Sequence, residues 1–160
     1  MAYLIFVNGS MNSGKTTTTR SLSKRLNAGF SDMDDIRDKY AHLQLTDAIP
    51  TVLREAARLI NVSIDTGQSI VACYVLSESD YLEFNTQLDD FAKFFYTLSP
   101  DIESVTTQRG SREISALEIS RIKHHYEIGV NRPSFGKIID STHMVVDDVV
   151  DWIIKDIQDD

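Results

Sequence analysis

The stretch that decides the fold is Gly9-Ser10-Met11-Asn12-Ser13-Gly14-Lys15-Thr16, which satisfies the pattern G-x-x-x-x-G-K-[ST] at every fixed position. The mostly apolar residues 3–8 precede it and predict a strand that is buried on both faces of a parallel sheet. Residues 15–27 follow with apolar side chains at helical spacing and predict a helix. A glycine-containing turn between a strand and a helix is the setting that gives this pattern a physical meaning.

The chemistry of this loop suits a polyphosphate. Its glycines let backbone N–H groups turn toward phosphate oxygens, and the helix that follows adds its unpaired donors and the positive end of its dipole. Lys15 is expected to reach the β and γ phosphates, and the hydroxyl of Thr16 to bind Mg²⁺. The residues expected to bind the nucleotide are Gly9, Asn12, Ser13, Gly14, Lys15, Thr16 and Thr17.

The rest of the chain alternates between strand-like and helix-like patterns. Strands are predicted at residues 30–33, 69–76, 94–98 and 138–140, and helices at residues 50–66, 79–91, 115–128 and 144–157. Residues 101–110 are polar and carry no pattern. Such alternation predicts βαβ units, and therefore an α/β fold with a parallel sheet between layers of helices.

Composition narrows the function classes. A chain of 160 residues with 42% hydrophobic and 25% charged residues is expected to fold as one domain. Its net charge of −8 argues against a nucleic-acid partner, although residues 1–31 contain no acidic side chain. The longest apolar run, residues 70–76, is far shorter than the roughly 20 residues that a membrane span needs. The single cysteine, Cys73, and an N-terminus without signal-peptide features favour a cytoplasmic protein.

An acidic segment, residues 32–37, begins where the second strand is expected to end beside the phosphate loop. Alternation along a strand would place Asp32 and Asp34 on one side. One carboxylate could then orient a hydroxyl nucleophile and accept its proton while another holds Mg²⁺. Arg37 could bind an anionic acceptor. The alternative is a solvated acidic turn that caps a helix, and Asp35 fits that role best.

The loop at 9–16, the acidic segment and the arginine-rich segment at 109–121 make the chain resemble the small P-loop kinases. These include shikimate, gluconate, adenylylsulfate and nucleoside-monophosphate kinases and chloramphenicol phosphotransferase. The resemblance implies a three-layer α/β sandwich, a five-stranded parallel sheet in the order 2-3-1-4-5 and a lid at about residues 100–125. The whole of 1–160 would form one kinase domain.

The chain departs from this family at its third strand. Residues 70–76 carry no aspartate for Mg²⁺, which places more weight on Asp32 and Asp34, and the glycine-rich turn that follows this strand in shikimate kinases is missing. Shikimate is therefore a poor substrate prediction.

The resemblance also assigns catalytic roles to the lid. Arg109 and Arg112 are expected to grip phosphoryl oxygens, and Arg109 also the nucleotide, while Gly110 lets the lid bend. Arg121, farther along, is as well explained by an ordinary surface position. The alternative for the whole segment is a basic loop that pairs with the surplus acid.

The function expected is an ATP-dependent kinase that transfers the γ-phosphoryl group of ATP-Mg to a small-molecule acceptor. The catalytic residues would be Lys15, Asp32, Asp34, Arg109 and Arg112, with Thr16 and Asp32 on the metal and Asp34 and Arg37 at the acceptor. Two alternatives stay open, a nucleoside-monophosphate kinase and a nucleotide-binding regulator with weak ATPase activity. The adjacent pair His124 and His125 makes a zinc site unlikely on a helix, and the oligomeric state has no sequence signal.

Overall fold

Five parallel strands form the centre of the computed structural model, which describes residues 1–107 and 113–160. They are β1 (Tyr3–Gly9), β2 (Gly29–Asp32), β3 (Ile70–Tyr74), β4 (Ala92–Leu98) and β5 (Lys137–Ile139). All neighbouring pairs are parallel, and the order is β2-β3-β1-β4-β5. The order that the resemblance implied is confirmed.

Helices connect the strands. They are α1 (Lys15–Leu26), α2 (Met33–Asp38), α3 (Leu45–Asp65), α4 (Glu78–Thr86), α5 (Ile102–Thr106), α6 (Ala116–Glu127) and α7 (Val146–Asp159). None of the helices in the described ranges combines the length and the apolar character that a membrane span requires.

The central strand β1 explains why both faces of the sheet are covered. Leu4 and Phe6 point to one face and Ile5 and Val7 to the other, and all four are fully buried. The first face packs against α3 and α4, and the second against α1 and α7. A strand that is apolar on both sides needs a helical layer on each face, which gives the three-layer architecture.

The third helix begins earlier than its proline suggests. Pro50 was expected to open the helix, yet α3 begins at Leu45 and Pro50 lies inside it. Proline removes the N–H that would donate to the carbonyl of Thr46, so the early helix loses one hydrogen bond. The helix nevertheless continues because Val52 and Leu53, on its apolar face, are fully buried in the core.

The second strand ends one residue earlier than expected, which changes the account of the acidic segment. It ends at Asp32, and Asp34 lies in α2, so strand alternation does not relate the two carboxylates. Asp32, rather than Asp35, caps α2 by accepting a hydrogen bond from the Asp34 N–H at 3.0 Å. The short helix was missed because six residues carry too little periodicity to detect.

The segment between β4 and β5 is partly described. A short helix, α5, lies in residues that show no pattern in the sequence, and Asp101 caps it by accepting from the Ser104 N–H at 2.8 Å. The next helix begins with a cap at Ser115, whose hydroxyl accepts from the Glu118 N–H at 3.1 Å. The two proposed lid arginines, Arg109 and Arg112, lie outside the described residues.

Candidate functional site

The phosphate loop joins the end of β1 to the start of α1 with the backbone geometry that its glycines allow. Gly14 directly precedes the helix and has φ of 89°, a left-handed conformation that suits glycine. Gly9 is required for space, because a Cβ atom there would lie 2.5 Å from Oγ of Ser13. Asn12 also has a positive φ, of 63°, which asparagine tolerates better than most residues.

Lys15 begins α1 and turns back across the loop. Its side chain is buried, and Nζ donates to the carbonyl oxygen of Ser10 at 3.2 Å. Oγ of Ser13 is buried without a hydrogen-bond partner in the described part of the chain. The loop thus encloses one cation and one unsatisfied hydroxyl, both of which can interact with a phosphate oxygen.

Asn8, the last side chain before the loop, fixes the strand ends around it. Its Oδ1 accepts from the N–H of Leu76 at 2.8 Å, and its Nδ2 donates to Oγ1 of Thr97 at 3.1 Å and to the carbonyl of Val130 at 3.4 Å. These partners follow β3, lie in β4 and follow α6. One fully buried amide therefore links three segments behind the phosphate loop.

Two contacts join the loop to helices within the segment expected to form the lid. Nδ2 of Asn12 donates to the carbonyl of Val105, in α5, at 3.0 Å. The N–H of Met11 donates to Nδ1 of His125, in α6, at 3.5 Å. The two neighbouring loop residues are thus each in contact with a different helix.

Thr16 and Asp32 are brought together as the sequence predicts. Oγ1 of Thr16 donates to Oδ2 of Asp32 at 3.0 Å. Behind them, Sγ of Cys73 lies 4.0 Å from the same threonine oxygen, on the strand that lacks an acid. Burial raises the pKa of the Cys73 thiol to about 11, so this group stays neutral.

This pair of oxygens fits Mg²⁺. The ion prefers oxygen ligands and is usually held by one or two protein groups together with phosphates and water. No cluster of three or more His, Cys, Asp or Glu side chains suited to a metal occurs in residues 1–107 and 113–160. Two protein oxygens would leave the other coordination positions of such an ion to phosphate oxygens and water.

A cavity of about 570 Å³ opens beside the loop. Lys15 and Asp34 line it together, and Arg37 and Arg121 add two guanidinium groups. Its apolar lining residues include Leu45, Ile49, Val75, Ile128 and Val130. The cavity is large enough for a small metabolite and combines an apolar wall with charged groups, which is the usual character of a small-molecule site.

The pKa values of two cavity groups, Asp34 and Tyr74, are raised mainly because the cavity walls partly exclude water. Asp34 is exposed to the cavity, yet partial desolvation raises its pKa, helped by Asp32 and opposed by Lys15 and Arg37. Desolvation raises the pKa of Tyr74 to about 12. The cavity therefore contains a carboxyl group, that of Asp34, with an increased proton affinity, and a phenol group, that of Tyr74, which is neutral.

The imidazole of His125 is affected in the opposite direction. Its burial, together with the charge of Lys15 and the neighbouring His124 and Arg121, lowers its pKa to about 4. The ring is therefore neutral at physiological pH.

The structure thus brings together most of the described residues that the sequence predicts. Lys15, Asp34 and Arg37 share the cavity wall, and Thr16 and Asp32 are hydrogen-bonded beside the loop. Thr17 is exposed on the first turn of α1. Arg121, which the sequence left undecided, also lines the cavity.

Among the polar residues of this cavity that sequence reasoning missed are Tyr74, Asp80 and His125. Tyr74 ends a strand in which every residue is buried, so its pattern indicates only core packing. Asp80 and His125 lie on helices whose rotation relative to the loop cannot be read from spacing. The available signal for His125 was weak, a polar aromatic side chain in the last turn of the helix predicted at residues 115–128.

The sequence matches no family model, and no curated protein matches it. Solved structures do match over nearly the whole chain. A sugar kinase from Janibacter sp. is 15% identical, with a TM-score of 0.75, covering 97% of this chain and 94% of its own. An APS kinase from Mycobacterium tuberculosis, solved with AMPPNP and APS, is 14% identical, with a TM-score of 0.73 and 96% of each chain covered.

A shikimate kinase from Acinetobacter baumannii, solved with shikimate, is 16% identical, with a TM-score of 0.66, covering 99% of this chain and 94% of its own. At these identities the likeness establishes the fold. The chain has the fold of the small P-loop kinases.

Proposed function

We propose that the protein is an ATP-dependent kinase that phosphorylates a hydroxyl group of a small molecule bound in the cavity. The observation that carries this proposal is the shared wall of Lys15 and Asp34, which puts a phosphate-binding cation and a carboxyl in one 570 Å³ cavity. A nucleotide-binding regulator would need the loop but would not need a carboxyl beside an acceptor-sized space. The single buried cysteine suits a cytoplasmic setting.

The nucleotide would bind through the phosphate loop. Backbone N–H groups and the α1 N-terminus would hold the phosphates, with the roles of Gly9, Asn12, Ser13, Gly14 and Thr17 resting on their places in the loop. Thr16 and Asp32 would hold Mg²⁺, which when bound neutralises charge on the phosphate oxygens. Lys15 would exchange its contact with Ser10 for phosphate oxygens.

Transfer would begin when Asp34 orients the acceptor hydroxyl. The hydroxyl oxygen forms a bond to the γ phosphorus, the bond from that phosphorus to the β-phosphate oxygen breaks, and the hydroxyl proton passes to the Asp34 carboxylate. The raised pKa of Asp34 makes it a better proton acceptor than an ordinary aspartate. Arg37 and Arg121 would bind other parts of the acceptor, and Arg109 and Arg112 would act on the phosphoryl group from the lid.

The experiment is an ADP-release assay with ATP-Mg and a panel of sugars, hydroxy acids, nucleosides, nucleoside monophosphates and aminoglycoside-type alcohols. Stimulation by one hydroxyl-bearing class supports the proposal. Stimulation only by nucleoside monophosphates would replace it with nucleotide kinase activity. A flat background with every acceptor, in a protein that binds ATP, would favour the regulator.

A further inference from the structure

His125 lines the cavity and also contacts the backbone of the phosphate loop. Its Nδ1 accepts the N–H of Met11 at 3.5 Å, a long hydrogen bond of the kind that often shortens when a ligand binds. The same side chain lines the cavity with Lys15 and Asp34. The ring therefore lies between the nucleotide loop and the acceptor space.

The ring is held in place by the end of its helix. The carbonyl of His125 accepts from the N–H of Val130 at 3.0 Å, and the Val130 carbonyl accepts from the buried amide of Asn8. The next residue, Tyr126, donates its hydroxyl to the Pro100 carbonyl at 2.5 Å. These contacts tie the last turn of α6 to the sheet. The backbone that carries the imidazole is therefore held in place.

The hydrogen bond to Met11 determines which ring nitrogen carries the proton. A neutral imidazole that accepts at Nδ1 must be protonated at Nε2. Nε2 has no hydrogen-bond partner within residues 1–107 and 113–160. Burial of the ring, helped by the positive charges of Lys15 and Arg121 and by His124 on the same helix, keeps a second proton off it.

We propose that His125 has two functions in this site: Nδ1 positions the phosphate loop through the Met11 N–H, and the Nε2–H group donates a hydrogen bond to an oxygen of the acceptor. The ring is an uncharged hydrogen-bond donor that lies among cations. Because it contacts the loop through one nitrogen and the acceptor through the other, acceptor binding would affect the conformation of the loop. The part of the proposal that concerns the acceptor rests on the proposed function. The part that concerns the phosphate loop involves nucleotide binding alone.

The first test needs neither a variant nor an acceptor. Long-range ¹H–¹⁵N NMR spectra of the wild-type imidazoles distinguish the two neutral tautomers and the charged form. We expect His125 to be neutral and protonated at Nε2 at pH 7, and to stay neutral until the pH falls toward about 4. A ring protonated at Nδ1, or one that titrates near the ordinary histidine value of about 6.5, would overturn the proposal.

The second test separates the two nitrogens by substitution. In His125→Asn the amide reaches only as far as Nδ1 and can still accept from Met11, whereas in His125→Gln it reaches as far as Nε2 and can still donate to the cavity. Loss of the loop hydrogen bond should weaken ATP-Mg binding by calorimetry about three- to tenfold in His125→Gln but not in His125→Asn. His125→Phe should lose both functions, whereas the control His42→Asn, at an exposed histidine outside the cavity lining, should lose neither.

With an acceptor from the ADP-release panel, His125→Asn should raise the KM of that acceptor about three- to tenfold at unchanged ATP affinity. Equal ATP affinity in the Asn, Gln and Phe variants, each confirmed as folded by its thermal transition, would refute the loop function. An acceptor KM that is unchanged in both Asn and Phe would refute the donor function. Absence of any active acceptor would contradict the proposed function and leave the tautomer and ATP-affinity results standing.

Discussion

At the scale of single residues, the proposed function assigns separate tasks to two charged side chains. Lys15 is buried in the phosphate loop, where no other described side chain could replace its charge. Asp34 faces the acceptor cavity, where the hydroxyl would lie. Separate tasks should give separate defects when each side chain is replaced.

Replacing Lys15 by Ala should reduce ATP turnover about 100-fold or more, because the developing phosphoryl charge loses a preorganised cation. Nucleotide affinity should fall as well, since the same amine binds the ground-state phosphates. Steady-state ADP release and ATP calorimetry measure the two effects. Lys24→Ala, an exposed lysine on the same helix, is the matched control and should behave as wild type. A Lys15→Ala protein with normal turnover would rule out the phosphate-loop assignment.

Replacing Asp34 by Asn should abolish acceptor phosphorylation while ATP affinity stays within about twofold, because proton acceptance is lost but the loop is intact. The variant should also melt at a higher temperature at pH 7. A carboxyl whose pKa is raised in the folded state favours folding only when protonated, and this contribution is lost as the pH rises above its unfolded value near 3.8. Thermal unfolding checks the sign. Asp35→Asn, exposed on the same short helix, should change neither property.

The pH profile of the proposed kinase activity, measured on the wild-type protein, provides a related measurement on Asp34. Its carboxylate must be free to accept a proton, so kcat/KM should rise with pH as Asp34 loses its proton. Because its pKa is raised, the midpoint of this limb should lie above the ordinary aspartate value of 3.8. This rise of kcat/KM with pH should be absent from any residual activity of the Asp34→Asn variant. A rate that falls over this range as the pH increases would contradict a basic role.

At the scale of elements, Asn8 connects the ends of β1 and β4 with the segments that follow β3 and α6. Replacing it by Ala should lower the free energy of unfolding by about 1–3 kcal/mol, because the buried N–H of Leu76 loses its acceptor. Urea denaturation measures this. Thr97→Val removes only one partner of the same amide and should cost less. A larger loss for Thr97→Val than for Asn8→Ala would show that Asn8 is not the organising contact.

Elements with strong patterns could be predicted from the sequence, and short ones could not. The buried strands β1 and β3 and the capped helix α6 carry continuous apolar runs or a clear cap signal. The helices α2 and α5 are too short for a periodic signal, and Pro50 concealed the true start of α3. The residue at which α3 begins is set by burial of its apolar face in the core and not by the local helix preference of Pro50.

The same distinction applies to the candidate site. The phosphate loop is local in sequence, and the meeting of Thr16 with Asp32 follows from strand order. The contact between Met11 and His125 joins residues separated by 114 positions, and only the packing of α6 brings them together. Sequence therefore predicted the nucleotide half of the site better than the acceptor half.

At the scale of the whole molecule, a net charge of −8 coexists with a locally positive site. ATP-Mg at about 100 times its Kd should raise Tm by about 5 to 10 °C, because binding to the folded state alone stabilises it. A DNA duplex at the same phosphate concentration should leave Tm unchanged. Differential scanning fluorimetry measures both. Lys15→Ala should lose the nucleotide shift, and a duplex-induced rise would contradict the exclusion of nucleic acid.

The thiol of Cys73 allows local unfolding around β3 to be measured by its rate of chemical modification. It is the only cysteine in the chain, it is fully buried in the interior strand β3, and its sulfur lies next to Thr16. An alkylating reagent can therefore reach it only when the packing around β3 opens, so the rate of alkylation reports how often that opening occurs. Bound ATP-Mg would hold Thr16 against the strand, and the thiol would then report nucleotide occupancy as a slower chemical modification.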